Sequence, residues 1–314
     1  MGWDANINFK NKVNKQKVVE ILELLKYKKI KKDIFFYYEE KDYKSLMGNT
    51  ATIYFEENCL KLHLRTLIHC SDYDLYYMNY TIKTIRKFFE CTFYTDEGNN
   101  RYFKHGEIIT KSEAGCYKAF FNIENDFSYI KLYIDIIKND KRMKMDFPKD
   151  FNKNNPMYIM TTMGLPYLCT IIENYFRNLF IALFKYSDNK EKVIKNVKIY
   201  NSDLNKVSSD DMQIEEAIAR AMSFQNIEKI IQNFRILNSE IDVKGYLNKP
   251  YKNRKESLYK TLNRVLEQRH NFIHSKLFEY DYDINKFETD VNLVEEALNR
   301  VYKEIVKFYR WEEQ

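Results

Sequence analysis

Leu258-Tyr-Lys-Thr-Leu-Asn-Arg-Val-Leu-Glu-Gln-Arg-His-Asn-Phe-Ile-His-Ser275 places apolar residues at Leu258, Leu262, Val265, Leu266, Phe272 and Ile273. Steps of three and four residues put them on one side of a helix, and this inward stripe predicts a helical second half. Arg269 interrupts the stripe, one turn after Val265 and one turn before Ile273. His270 and His274 form an i, i+4 pair on the next ridge. A guanidinium at an apolar position is costly unless it is paired, hydrogen-bonded or engaged by an anion. Polar groups placed this way point to a cleft between helices or between subunits.

Outward from that helix, Tyr158 to Lys185 reads as one apolar-rich helix with a bend expected near Pro166. Ile214 to Met222 and Phe224 to Leu237 read as shorter helices. Gly245 and Pro250 mark a loop, and long helices are expected over Glu256 to Phe278 and Thr289 to Trp311. The 314-residue chain holds 7 Gly and 4 Pro against 26 Tyr and 22 Phe, which disfavours a turn-rich β-sandwich. Its sharpest compositional break is Asp146-Phe-Pro-Lys-Asp-Phe-Asn-Lys-Asn-Asn-Pro156, so domains are expected over residues 1–150 and 156–314.

The first half reads as mixed α and β. Lys15 to Lys29 has one apolar helical face, while Ile34 to Tyr38, Ala51 to Phe55 and Cys91 to Thr95 suit strands. Leu60 to Ile68 begins as a strict apolar alternation, the mark of a half-buried strand. Ser71-Asp72-Tyr73-Asp74 looks like a helix start, and Tyr117 to Lys138 like a further helix. The expected architecture is an α+β N-terminal domain, with helices on one face of a small sheet, followed by an all-α helical bundle.

Several function classes lose ground on composition. The net charge of +6 is spread over both halves, which permits a polyanionic partner without pointing to one. No two glycines are spaced for a phosphate-binding loop. The five cysteines form no CxxC pair and no disulfide framework. No signal-like or membrane-spanning stretch is read, so a cytoplasmic protein that needs no membrane is expected. Cys59, His63, His69 and Cys70 raise the thought of zinc, but strand parity sends Cys70 the opposite way from the other three. The run Lys26-Tyr-Lys-Lys-Ile-Lys-Lys32 is read as a solvated helix end, with contact to RNA phosphates as the sharper alternative.

Arg269 and the histidines suit one chemistry in particular. RNA carries its own nucleophile, the 2′-hydroxyl, so cleavage needs neither an activated water nor a metal or other cofactor. It needs a group that moves a proton, for which histidine has a suitable pKa, and a cation for the phosphorane-like transition state. Arginine stays charged and grips two phosphate oxygens in a fork. The products would be a 2′,3′-cyclic phosphate and a 5′-hydroxyl.

Arg269-His270-Asn271-Phe272-Ile273-His274 resembles the Arg-polar-x-x-x-His signature of the HEPN superfamily. Ile171-Ile-Glu-Asn-Tyr-Phe-Arg-Asn-Leu-Phe180 is similar to that superfamily's first core helix, and Ser223-Phe-Gln-Asn-Ile-Glu-Lys-Ile230 to the middle segment of members from bacterial defence and toxin–antitoxin loci. The resemblance spans residues 157–312. It implies an all-α HEPN-type bundle in which Arg269 and His274 are the catalytic pair and His270 positions RNA or its partner residues. Asn271 would assist, and Glu173 would orient Arg269 or His270 through a buried ion pair. It further implies a homodimer, an RNA substrate, and a role in antiphage defence or as a toxin. The first half would then be a sensor, a substrate selector or a surface for a neutralising or activating protein partner. Two other readings stay open: a non-catalytic helical module binding a nucleotide, RNA or protein, and a two-domain protein in which Arg269 is a buried structural cation.

Overall fold

The computed structural model describes residues 2–143, 155–252, 254–275 and 282–311, with the backbone alone for 270–275. Two compact units divide the chain, Met1–Ala114 and Gly115–Gln314. The first is built on a seven-stranded antiparallel sheet and the second is helical among the described residues.

The sheet comprises β1 (Gly2–Phe9), β2 (Lys28–Lys31), β3 (Ile34–Tyr37), β4 (Asn49–Glu56), β5 (Cys59–Leu67), β6 (Cys91–Thr95) and the short β7 (Gly98–Asn99), in the order β2-β3-β4-β5-β1-β6-β7. Alternate residues of β5, Leu60, Leu62 and Leu64, are buried, while Cys59, Lys61, His63 and Arg65 take the opposite face. The buried side meets α1 (Lys15–Leu24) through Val18, Ile21 and Leu22, and α2 (Asp72–Phe88) through Leu75, Met78, Ile82 and Ile85. Both helices therefore share one face, as the alternation predicts, and each fully buried Ile or Leu contributes roughly 1.5–3 kcal/mol. Ser71 and Asp74 close a reciprocal capping box on α2, and the Asp74 carboxylate also takes the N–H groups of Leu46 and Met47.

Three strands depart from the sequence reading, the shortest being β7, a two-residue strand that pairs with β6. β1, not foreseen there, is central and pairs with both β5 and β6. Its buried residues are only Ala5, Ile7 and Phe9, alternating with Asp4, Asn6 and Asn8, so its apolar signal is weak. The lysine run expected to end a helix is instead β2, an exposed edge strand. α1 stops at Leu24 because Lys26 adopts φ 61, with Tyr27 N–H bonded to Leu22 O at 2.9 Å and Lys26 N–H to Glu23 O at 2.8 Å. This is a Schellman stop with lysine where glycine is usual. Lysines along an exposed edge also discourage pairing with a further strand.

In the second unit, α4 (Pro156–Lys185) is the central helix and runs through Pro166. Ile171, Ile172, Tyr175, Phe176, Leu179 and Phe180 are all buried, so this helix is apolar nearly all round because it is enclosed nearly all round. Around it lie α7 (Ile214–Ala221), α8 (Ile227–Leu237), α10 (Leu258–Ser275) and α11 (Ile284–Tyr309). Phe176 and Phe180 meet Phe234 of α8 edge-on, and the Tyr175 hydroxyl donates to Leu298 O at 3.1 Å. The short helices α5 (Lys190–Lys195) and α6 (Asn201–Ser208) were not foreseen, and α9 (Val243–Asn248) occupies part of the expected loop at Gly245.

The division between units lies at Ala114/Gly115, near the start of α3 (Lys111–Asn139), rather than at 146–156, most of which is outside the described residues. The reason is packing. Phe120 of α3 stacks on Tyr302 at 4.3 Å, and Lys131 and Lys138 bond Glu295 and Glu288 at 2.7 and 2.6 Å. α3 therefore belongs with the helices from Gly115 onward.

Gly164 sits at a close approach between α4 and the rings of Phe287 and Tyr133. A Cβ there would stand 2.6 Å from a ring carbon of Phe287 and 3.1 Å from one of Tyr133. Gly164→Ala is expected to cost about 1–3 kcal/mol through overpacking, read as a lower melting temperature; an unchanged one would mean that α11 shifts freely.

Candidate functional site

Two helices bring the charged pair together. On α4, Cys169 and Glu173 lie one turn apart on a single face; on α10, Val265 and Arg269 do the same. The Cys169 Sγ lies 3.6 Å from Val265 O, and Arg269 Nη1 donates to Glu173 Oε1 at 2.8 Å. Two rungs thus advance in the same direction along both helices. Burial pushes the Cys169 thiol up to about 12, a little offset by the Arg269 charge, so this cysteine is a neutral packing group.

The pair is largely enclosed, with the Glu173 side chain 11% exposed and that of Arg269 23%. Within two turns N-terminal to Arg269, Leu262, Val265 and Leu266 are buried as the stripe predicts. Arg269 Nε is buried and has no hydrogen-bond partner among the described residues. One carboxylate oxygen is therefore set against a donor fork whose Nε has no partner among the described residues. A partly enclosed cation of this kind can take oxygens from an oxyanion such as a phosphodiester.

His270, Asn271 and His274 lie on α10, and their side chains fall outside the described residues. Of the five residues singled out from the sequence, the structure brings together Arg269 and Glu173.

Arg177, Arg264, Gln268 and Asp290 carry weight that the sequence reading did not give them. Arg177 stands one turn beyond Glu173 on α4, its guanidinium 5.9 Å from the Phe224 ring centroid and its Nε buried without a partner among the described residues. The i, i+4 spacing from Glu173 was a signal available in the sequence. Arg264 grips Asp290 of α11 with two bonds, 2.9 and 2.6 Å long, and the Tyr282 hydroxyl donates to the same carboxylate at 3.0 Å. These bonds hold the Arg264 guanidinium above its ordinary range, and burial followed by the Asp290 charge raises the Tyr282 hydroxyl. The group borders a cleft of about 490 Å³ with Arg254, Glu256 and Gln268 on its wall. Gln268 Oε1 is buried and has no partner among the described residues.

The cysteine and histidine set is not a cluster here. Cys59 is exposed, and His63 Nε2 lies 2.8 Å from Asp4 Oδ1 on the open face of the sheet. Among the described residues no three His, Cys, Asp or Glu side chains are grouped as metal ligands. None of the described helices is long and apolar enough to cross a membrane. Comparisons with models of known families, with curated proteins and with solved structures found no match.

Proposed function

We propose that the helical unit is a HEPN-type endoribonuclease that cleaves RNA without a metal, with Arg269 and His274 as its catalytic pair. The observation that carries this reading is the enclosed Arg269–Glu173 pair at the α4–α10 contact, inside the segment that resembles the family's signature. In the proposed step the 2′-oxygen attacks the adjacent phosphorus and its proton passes to a base. The bond to the 5′-oxygen then breaks, and that oxygen takes a proton. His274 moves a proton in this exchange, Arg269 balances the charge gathering on the phosphorane-like oxygens, and His270 and Asn271 position the RNA. Glu173 is a positioning residue that sets the angle of the Arg269 fork. The active form is a homodimer that brings two such motifs into one cleft. The protein works in the cytoplasm in antiphage defence or as a toxin, held or released by a neutralising or activating partner.

The test uses the purified full chain with end-labelled RNA in EDTA, beside Arg269→Ala and His274→Ala. Cutting by the unaltered chain alone, leaving 2′,3′-cyclic phosphate ends, is the expected result. Equal cutting by all three chains would remove the site, and loss of cutting on adding EDTA would remove the metal-independent mechanism. The cleft beside Arg264 favours a second reading, a non-catalytic module that binds a nucleotide between α10 and α11. Nucleotide binding without any RNA cleavage would select it.

A further inference from the structure

We infer that the open face of the seven-stranded sheet docks single-stranded RNA. This rests on the ribonuclease reading of the helical unit and assigns the first unit the task of holding substrate. The cross-strand register builds the surface residue by residue. Ile34, Thr52, His63, Asn6 and Tyr94 are successive partners across β3, β4, β5, β1 and β6, so they form one row on one face. A second row on the same face joins Tyr54, Lys61, Asn8 and Thr92; a third joins Phe36, Thr50, Arg65 and Asp4.

Three features favour an RNA strand on this face. Phe36, Tyr54 and Tyr94 lie opposite the core, which is already filled from the other side by Phe35, Ile53 and Phe93, and Tyr94 is 49% exposed. Aromatic rings suit a pleated surface, and Phe36 stacks on Tyr38, but any unpaired base can also stack on rings displayed there. The acids on the face are already engaged: Asp4 by His63 at 2.8 Å and Arg65 at 3.7 Å, and Glu56 by Lys61. The adjoining edge strand adds Lys28 and Lys31, the partners of Phe36 and Ile34 on this face, both exposed and with no carboxylate in salt-bridge range among the described residues. The cations paired with these acids are offset in turn, so the open positive charge lies along the β2 edge, where it is complementary to a phosphate chain. A duplex buries its base faces and cannot use the rings, which selects a single strand. The amides of Asn6 and Asn8 and the hydroxyls of Thr50 and Thr52 offer partners to 2′-hydroxyls, which RNA has and DNA lacks.

The experiment measures binding separately from cutting. Full-length Arg269→Ala protein, in which the proposed cleavage is blocked, is titrated onto a fluorescent, unstructured RNA of about twelve nucleotides and read by anisotropy. Tyr54→Ala, Tyr94→Ala and Arg65→Ala are each added to that background, with Tyr94→Phe as the conservative control and Lys28→Glu/Lys31→Glu altering the edge alone. Each alanine variant is expected to weaken binding about tenfold, Tyr94→Phe to bind normally, and the edge variant to flatten the salt dependence. Affinities within about twofold for all variants would overturn the proposal, as would equal or tighter binding of duplex RNA or of the matching DNA strand. Loss of binding in the sheet variants, with no cutting by the unaltered chain, would reject the nuclease reading and leave the docking surface standing. Unchanged binding alongside cutting would do the reverse.

Discussion

Arg269→Ala is expected to lower the rate of RNA cleavage by about 10²–10³-fold, the usual loss when one preorganised transition-state charge is removed. The size follows from the surroundings. Arg269 is 23% exposed and sits beside buried Val265 and Leu266, so its charge acts through a medium far less screening than water. Glu173→Gln keeps an acceptor oxygen for the 2.8 Å bond while removing the opposing charge. It is expected to lower kcat with little change in KM, as for a residue that aims the guanidinium rather than binding substrate. The double variant Arg269→Ala/Glu173→Gln should be no slower than Arg269→Ala alone, because Glu173 acts through the group that is gone. A purely structural Glu173 would instead show independent, additive losses. Melting curves complete the argument, since replacing both partners by leucine should keep stability near that of the unaltered chain while abolishing cleavage.

The helical unit was legible because its signals are local and strong. The stripe from Leu258 to Leu266 is buried as spaced, and the enclosed α4 shows itself as a long apolar-rich segment interrupted only by a few polar residues such as Glu173 and Arg177. The sheet was only half legible. Leu60, Leu62 and Leu64 announce β5, whereas β1 offers Ala5 among aspartate and asparagine and becomes a central strand only because two neighbours complete its ladder. Tertiary pairing overrides a weak propensity there. The end of α1 was misread for a conformational reason, since Lys26 takes a backbone state that the sequence usually advertises with glycine.

The candidate site divides along the same line. Arg269 stood out because it breaks a periodic pattern, and its partner Glu173 came from the resemblance, 96 residues away in the chain. Arg264 lies off the stripe on the same helix, and Asp290 is 26 residues distant on another. Nothing local marks either one, because their pairing depends on how α10 meets α11. The domain division escaped for a related reason. A proline-containing polar stretch looks like a boundary, but the contacts of Phe120, Lys131 and Lys138 tie α3 to the helices that follow it.

Asp290→Ala is expected to lower stability by about 2–3 kcal/mol, somewhat under the 3–5 kcal/mol typical of a broken buried pair, because Arg264 keeps 37% of its side chain exposed. Asp290 itself is 3% exposed and accepts two bonds from Arg264 and one from Tyr282, so its removal strands a cation and a buried hydroxyl at once. For a helical unit of this size the loss corresponds to a melting temperature lower by roughly 5–10 °C, measurable by far-ultraviolet circular dichroism. Tyr282→Phe removes only one of the three bonds and should cost about 1 kcal/mol. Arg264→Met/Asp290→Leu should recover most of the loss, since apolar groups of similar volume need no desolvated charges to be matched. The outcome bears on the site, because α10 carries Arg264 and Arg269 on one rigid helix. If the α10–α11 clamp fixes that helix, the Asp290→Ala variant at a temperature where it remains folded should cut RNA more slowly, and the apolar double variant should restore the rate. An unchanged melting temperature in Asp290→Ala would show that α10 is held by its apolar stripe alone.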